Sequence, residues 1–492
     1  MSLQVTVTGK SPSPSSNGAH TTWHDNRSQS TLDSVLSPVP YSTFSTVHKR
    51  FMVAIIAFTG IVAPFSSNVF LPALPDIAND MNTTVSTINA AISVFMAAMA
   101  IAPLLWGPLG DNFGRRWAFS CGSLICTAAS VGCALSPNPS CLIAMRFFQA
   151  FGGSVLIAGG AGTICDIYEP AHRGQALGLY FGGQMTGPIF GTILGGYVGQ
   201  ALGWRSIFWM TTILSGISWL LLTFVLPETH RPSVVRKYRI DLQGLSCEEV
   251  LRNPPIFTWS LLNPFAVFGT LRRPYVVIPV VEMSLIMASF YSMNTIMTVL
   301  LKRDYGYTTA TVGLCYIASG AGNVLGAILG GTMADYTLQR HLRKSTQLDT
   351  SLPNEKGNRP VEARLPFVLL CSIIFPLGIL AYGWFMHFKT PIALALCSQF
   401  FVGFATNAIF SVFSTYLVDL FTTNSASITS MANMFRGLYT ALWTGIIDSV
   451  SRSIGVGWTF TMLSLTCCVG AALGFLLYFK GGSWRQTHGH RA

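Results

Sequence analysis

Apolar residues in this chain gather into blocks of about twenty, and no other feature of the sequence limits its fold so sharply. At a rise of ~1.5 Å per residue, one such block wound as a helix crosses a hydrocarbon layer ~30 Å thick. The blocks lie at 51–71, 88–106, 117–135, 141–164, 175–199, 206–226, 276–298, 310–333, 366–385, 391–416, 427–447 and 458–479. Hydrocarbon offers no partner to backbone N–H and C=O groups, so only helices or closed barrels cross it. Blocks this long, without period-two alternation, exclude the barrel. Composition points the same way: 50% of the 492 residues are hydrophobic and 10% are charged, against ~25% charged in a soluble domain.

The formal charge of +11 invites a nucleic-acid reading, and its placement removes it. Roughly 23 of the 30 Lys and Arg fall in the two tails and the even-numbered gaps between blocks, and about 5 in the odd-numbered gaps. This is the positive-inside distribution, so both termini are expected in the cytosol, with anionic lipid as the partner of the basic surface. Residues 1–50 are rich in Ser, Thr, Pro and His and hold no apolar stretch, which reads as a disordered cytosolic tail and not a signal peptide. A charged stretch with Arg231, Arg236, Lys237, Arg239 and Asp241 divides the chain. The expected organisation is an N-terminal six-helix bundle at 51–228, a cytosolic linker at 229–273, a C-terminal six-helix bundle at 274–480 and a short cytosolic tail at 481–492. The eleven cysteines lack CxxC or CxxH spacing, so neither metal nor cofactor is expected. Cys133 and Cys141 flank a short outer loop and are the one pair placed for a bridge. The sequon Asn82-Thr83-Thr84 in the first outer loop marks Asn82 for glycosylation, whereas Asn26 sits in the cytosolic tail.

The two halves echo each other. Gly107-Pro108-Leu109-Gly110-Asp111-Asn112-Phe113-Gly114-Arg115-Arg116 follows the second block, and Gly331-Thr332-Met333-Ala334-Asp335-Tyr336-Thr337-Leu338-Gln339-Arg340 follows the eighth. Gly, Asp and a later Arg recur, and Asp166 and Asp419 form a second matched pair. The glycines allow close helix contact, and the carboxylates can face helix N-termini and guanidinium groups as a latch. The run Gly107 to Arg116 resembles the signature loop of the major facilitator superfamily. Arg146-Phe147-Phe148-Gln149-Ala150 is similar to its Arg-x-x-Gln-Gly motif, with Ala150 in place of glycine. Gly183-Gln184-Met185-Thr186-Gly187-Pro188-Ile189-Phe190-Gly191 resembles the motif of drug:proton antiporters, with Thr192 where a second glycine is usual. Further runs, among them Phe70-Leu71-Pro72 and Tyr416-Leu417-Val418-Asp419, look like fungal twelve-helix antiporters of the quinidine-resistance and polyamine-exporter kind. The fold class expected is an all-α membrane protein with twelve transmembrane helices in two pseudo-symmetric six-helix bundles. The resemblance implies gating roles for Gly107, Asp111, Gly114, Arg115, Arg116, Gly331, Asp335, Arg340, Gly183, Gly187, Pro188 and Gly191, the last four forming a bent, tight contact between bundles.

Ionisable groups inside a span are costly and usually functional. Arg146 lies in the fourth block, Glu282 about two turns into the seventh and Arg436 in the eleventh. Glu282 is the carboxylate clearly inside a span and the preferred proton carrier, with pairing to a loop arginine left open. Arg436 either lines a cavity or anchors the start of its helix. The resemblance implies that Arg146 faces a central cavity, where it aids proton coupling or binds an anionic group. Asn68, Gln149, Gln184, Asn294, Gln399 and Asn407 supply a polar lining, and Tyr180, Tyr291 and Phe404 an aromatic one; each also suits plain helix-to-helix contact.

No Gly-x-x-x-x-Gly-Lys-Ser/Thr run is present to use ATP, and no HExxH, GxSxG or paired carboxylates suggest an enzyme. The expectation is a monomeric secondary transporter that exports a small molecule, a drug or secondary metabolite, by proton antiport with alternating access. Export of a di- or tricarboxylate and proton-coupled uptake stay open, and a non-transporting nutrient sensor is the reading from another class. The plasma membrane is the expected site, with the vacuolar membrane as the alternative.

Overall fold

The computed structural model describes residues 44–168, 173–229, 272–348, 361–420 and 425–489. The chain before residue 44 and nearly all of the expected linker at 229–273 lie outside the described residues. Among the described residues the structure is helical throughout, with no strand.

Twelve long helical spans follow one another. The first crosses as Thr46–Gly60, Val62–Asn68 and Leu74–Asp80, with a 3₁₀ turn at Leu71–Ala73 where Pro72 and Pro75 cannot donate to an α-helical ladder. The second is Val85–Ile101 with Pro103–Phe113, the third Arg115–Ala134, the fourth Pro139–Ile167, the fifth Arg173–Leu202 and the sixth Trp204–Leu220 with a π turn. The seventh to twelfth are Pro274–Tyr305, Thr309–Leu348, Pro366–His387, Ile392–Leu420, Ser425–Ile454 and Val456–Gly489. Ten of them are long and apolar enough to cross a membrane; the glycine-rich fifth and the eleventh, which holds Arg436, Asp448 and Arg452, are the other two. Large apolar side chains such as Phe190, Ile213, Leu377, Leu465 and Val469 point outward. Such a belt is stable against hydrocarbon and not against water.

The neighbours of each span reveal the repeat. In the first six, span 1 packs on 5, 2 on 4, 3 on 4 and 3 on 6; in the second six, 7 packs on 11, 8 on 10, 9 on 10 and 9 on 12. Adding six to each number converts one set into the other. The main contacts between bundles, 2 with 11 and 5 with 8, also exchange under this operation, as a pseudo-twofold relation requires. An even number of crossings returns the chain to the end where it began, here called the terminal end; the opposite one is the far end.

Several boundaries differ from the sequence reading. The first helix begins at Thr46, within the tail expected at 1–50, because Ser45 Oγ accepts the His48 N–H and caps it. The eighth continues past Gly331 to Leu348, since no proline or further glycine interrupts it. The twelfth runs through the tail expected at 481–492 as far as Gly489. Cys133 is buried and both it and Cys141 are free thiols, so the bridge considered between them is absent.

Candidate functional site

Arg146 gathers the first four spans around itself. It is fully buried, and its Nη1 donates to the Ser66 carbonyl at 2.8 Å and to Gln149 Oε1 at 2.7 Å. Gln149, one turn along the same helix face, donates through Nε2 to Ser130 Oγ at 2.8 Å. The guanidinium lies 4.1 Å from the Phe70 ring and 4.1 Å from the Phe95 ring, so two aromatic faces replace part of its lost hydration. No described carboxylate pairs with it, and its Nε and Nη2 have no hydrogen-bond partner. Donors left unmet in a dry site are costly, and an incoming oxygen would satisfy them.

A second guanidinium comes from the other bundle. Arg436 stacks 4.4 Å from the Phe410 ring and lines a small cavity with Met283, Ser414 and Asn433. It sits well inside the eleventh helix, not at its start, which favours the cavity role over the anchoring one. Tyr291 of span 7 lies between the two sites, near Asn68 and Ser67 of span 1 and near Arg436. Asn68 donates to the Pro64 carbonyl at 3.0 Å and to Ser67 Oγ at 2.6 Å. A polar path therefore runs from Arg146 through Ser66, Ser67 and Asn68 to Tyr291 and Arg436, across the division between bundles.

Other candidates fall elsewhere. Gln399 donates to Asn294 Oδ1 at 3.3 Å inside the second bundle, and the Asn294 carbonyl accepts the Tyr316 hydroxyl at 2.6 Å. Gln184 is buried on span 5 near Gly60, its Nε2 unpartnered, and Tyr180 spends its hydroxyl on the Leu156 carbonyl at 2.7 Å. Asn407 is half-buried in span 10, and Phe404 packs edge-on against Phe367. Glu282 is fully buried on another face of span 7. Its Oε1 accepts the Ser372 hydroxyl of span 9 at 2.5 Å, and Gly470 and Gly474 of span 12 lie against it. The structure does not bring Glu282 to Arg146, and no loop arginine pairs with it among the described residues.

At the terminal end the residues of the two matched motifs are joined by two partners that the sequence reading did not name, Glu228 and Arg364. The Asp111 side chain lies outside the described residues. Among the described residues Glu228 meets the N-terminus of span 3, accepting the N–H groups of Arg115 at 3.0 Å and Arg116 at 3.2 Å. It fits there because Gly114 turns at φ +102°, where a side chain would strike the carboxylate. Arg115 Nε pairs with Asp166 at 3.1 Å, and Arg116 donates to the Thr223 carbonyl. In the second bundle Arg364, not Arg340, joins Asp335 and Asp419. Arg340 is exposed because the unbroken eighth helix carries it out from the bundle. Gly107 has open space beside it and Gly331 only Ser411 Oγ at 3.6 Å, so neither marks a close helix contact.

Gly183, Gly187 and Gly191 face span 1, where a Cβ would lie 3.1 Å from the Ala57 carbonyl, 3.0 Å from that of Ile61 and 2.9 Å from that of Phe65. This corrects their expected place between bundles: spacing by four keeps one stripe of the helix on its own neighbour. The adjacent stripe, Ile189, Thr192 and Gly196, makes the cross-bundle contact on Gly320, Gly313 and Thr309 of span 8.

The bonds joining the bundles cluster at the far end. Lys302 Nζ donates to Asp76 Oδ2 at 2.6 Å and to Thr309 Oγ1 at 2.7 Å, and the Thr309 hydroxyl donates to the same carboxylate oxygen at 2.7 Å. Gln200 Oε1 accepts the Ala310 N–H at 2.9 Å, Ser93 meets Thr444 at 3.2 Å and Ser86 meets Ser449 at 3.5 Å. Between the two serines Asn89 is fully buried with neither amide atom bonded. None of these residues was singled out from sequence. Opposite charges at the mouths of neighbouring blocks, where cations are scarce, were the available signal for Asp76 and Lys302.

Two pseudo-symmetric six-helix bundles enclosing a polar path define a multi-pass membrane transporter. Residues 56–444 match the sequence profile of the Major Facilitator Superfamily, and the chain belongs to that family. It is 29% identical to Dityrosine transporter 1 of Saccharomyces cerevisiae, with 89% of this chain and 81% of the relative covered. It is 26% identical to the MFS antiporter QDR3 of Candida albicans, over 89% and 79%, and 29% identical to Citrate exporter 1 of Aspergillus niger, over 92% and 90%. Among solved structures it shares its fold with the xylose transporter XylE of E. coli in a partially occluded inward open conformation, at TM-score 0.64 and 14% identity, covering 88% of this chain and 98% of that one.

Proposed function

We propose that the chain exports a small organic molecule bearing an anionic group, by proton antiport with alternating access. The observation that carries this reading is the pair of guanidinium groups, Arg146 and Arg436, one from each bundle. Each is stacked on phenylalanine and neither has a carboxylate partner among the described residues. A secondary metabolite, a drug with an acidic group and a di- or tricarboxylate all meet that requirement. Relatives named as antiporter and exporter support the direction and the coupling. The Lys and Arg distribution supports cytosolic termini, which makes the far end the outer one. The protein acts as a monomer in the plasma membrane, and Asn82, exposed at a turn with φ 48°, is its glycosylation site.

Gln149, Asn68 and Tyr291 complete the cavity lining with the arginines, and Gln184, Asn294 and Asn407 supply an outer shell. The segments Gly107 to Arg116 and Gly331 to Asp335, at the helix ends and turns of the cytosolic side, act as latches, exchanging partners as the bundles rock. The test is an untargeted comparison of medium and cytosol from cells with and without the protein. Anions should accumulate outside only when it is present, and an uncoupler should abolish the difference. An exported set made of cations would overturn the anionic assignment, and export undiminished by the uncoupler would overturn antiport.

A further inference from the structure

The geometry points to Glu282 as the proton-binding group of the antiport, housed behind the substrate cavity and not in it, with span 7 transmitting its occupancy to the cavity and to the far-end closure. This rests on the antiport reading above.

Glu282 has no solvent exposure, one hydrogen bond from Ser372, and a second oxygen, Oε2, with no partner. No ion pair among the described residues includes it, and the titratable group facing it from span 12 is the thiol of Cys467, itself bonded to Ser289 at 3.2 Å. Ser372 is what span 9 presents, and Gly474 leaves a notch that Oε2 fills. A bare carboxylate here would hold a charge against hydrocarbon with a single hydroxyl donor, which is among the most costly arrangements a protein can contain. The site as built therefore holds the carboxyl with its proton on Oε2. When the proton leaves, the charge must reach water, and the parts free to yield are the contacts of span 7 with spans 9 and 12.

Span 7 is one helix from Pro274 to Tyr305. Glu282, Leu285 and Ser289 form the face set against span 12, while Met283 and Tyr291 face the cavity around Arg436, and Lys302 at the tip holds Asp76 and Thr309. A shift that exposes Glu282 at one end thus moves Tyr291 at the middle and Lys302 at the other end. Proton loading favours the far-end-closed state described here, and proton loss favours its opening. Substrate and proton then compete through one moving helix and not for one pocket.

The test needs no substrate. Spin labels at Leu135 and Phe388, exposed positions near the far end of the two bundles, report their separation by pulsed EPR with the full chain in lipid nanodiscs. For the otherwise unaltered protein the ratio of long to short distances should rise severalfold from acidic to alkaline buffer, and Glu282→Gln should hold the short distance at every pH. Ser372→Ala should move the midpoint of the response, which a purely packing role would leave in place. A Glu282→Gln protein that follows the unaltered pH profile, or a Ser372→Ala protein with an unmoved midpoint, overturns the assignment. Failure of antiport itself reads differently: export by the unaltered chain would then persist in the presence of an uncoupler.

Discussion

Removing the charge of Lys302 should loosen the far-end closure by a calculable amount. Its ammonium makes two short bonds, to Asp76 and Thr309, from a side chain 15% exposed, while the Asp76 side chain is 45% exposed. A fully exposed pair is worth ~0.2–1 kcal/mol and a buried charged hydrogen bond ~1.5–3 kcal/mol. The half-wet geometry places Lys302→Met at about 1.5 kcal/mol, or roughly a tenfold fall in the closed-to-open ratio. Cysteines at positions 86 and 449, where the native hydroxyls meet at 3.5 Å, provide the readout in a background freed of other reactive thiols. Oxidative cross-linking should be fast with Lys302 present and roughly tenfold slower with methionine there, if the open state is made dominant. Asp76→Asn should do the same, and the double variant should be no worse than either single one, because both act on one interaction. Unchanged cross-linking in the single variants, or additive effects in the double, would refute the closure role.

Arg146→Ala should abolish export while the protein still reaches the membrane, and Arg146→Lys should not restore it, since a point charge keeps neither the double stack nor the Gln149 bond; export assays with surface labelling decide this. Asp111→Ala should likewise stop export without loss of protein, as the latch role requires. Gly196→Val should part spans 5 and 8, because even a Cβ would sit 2.8 Å from the Thr309 carbonyl and 3.1 Å from Gly313 Cα, and should slow the 86–449 cross-link. Glu228→Gln should lower thermal stability by about 1 kcal/mol through loss of charge at the N-terminus of span 3, measurable as a lower Tm in detergent.

The twelve crossings were legible because apolar length alone specifies them. Their ends were not. The first, eighth and twelfth helices run on into polar sequence, at Thr46, to Leu348 and to Gly489, where charge replaces apolarity but no residue breaks the ladder. Arg146 stood out as a charge inside a span, and its neighbours Gln149 and Asn68 followed from the same polar logic. The facing of a residue was harder to read. Periodicity tells which residues share a stripe and not which of several neighbouring helices that stripe meets. Hence Glu282 turned toward span 12 and the Gly183 to Gly191 ladder toward span 1. Arg364 escaped notice because a long stretch separates it from Asp335, while Arg340 stood at the spacing of the first-half motif.

A cysteine replacing Asn433, beside Arg436 in the cavity, added to the protein that carries the 86–449 pair and no other reactive thiol, tests alternating access most directly when its own labelling by a membrane-impermeant maleimide from outside intact cells is read against the same protein without it. It should react in the free protein and stop reacting once the 86–449 pair is oxidised. Labelling that proceeds equally with that pair locked would contradict a cavity that opens outward only when the far end parts.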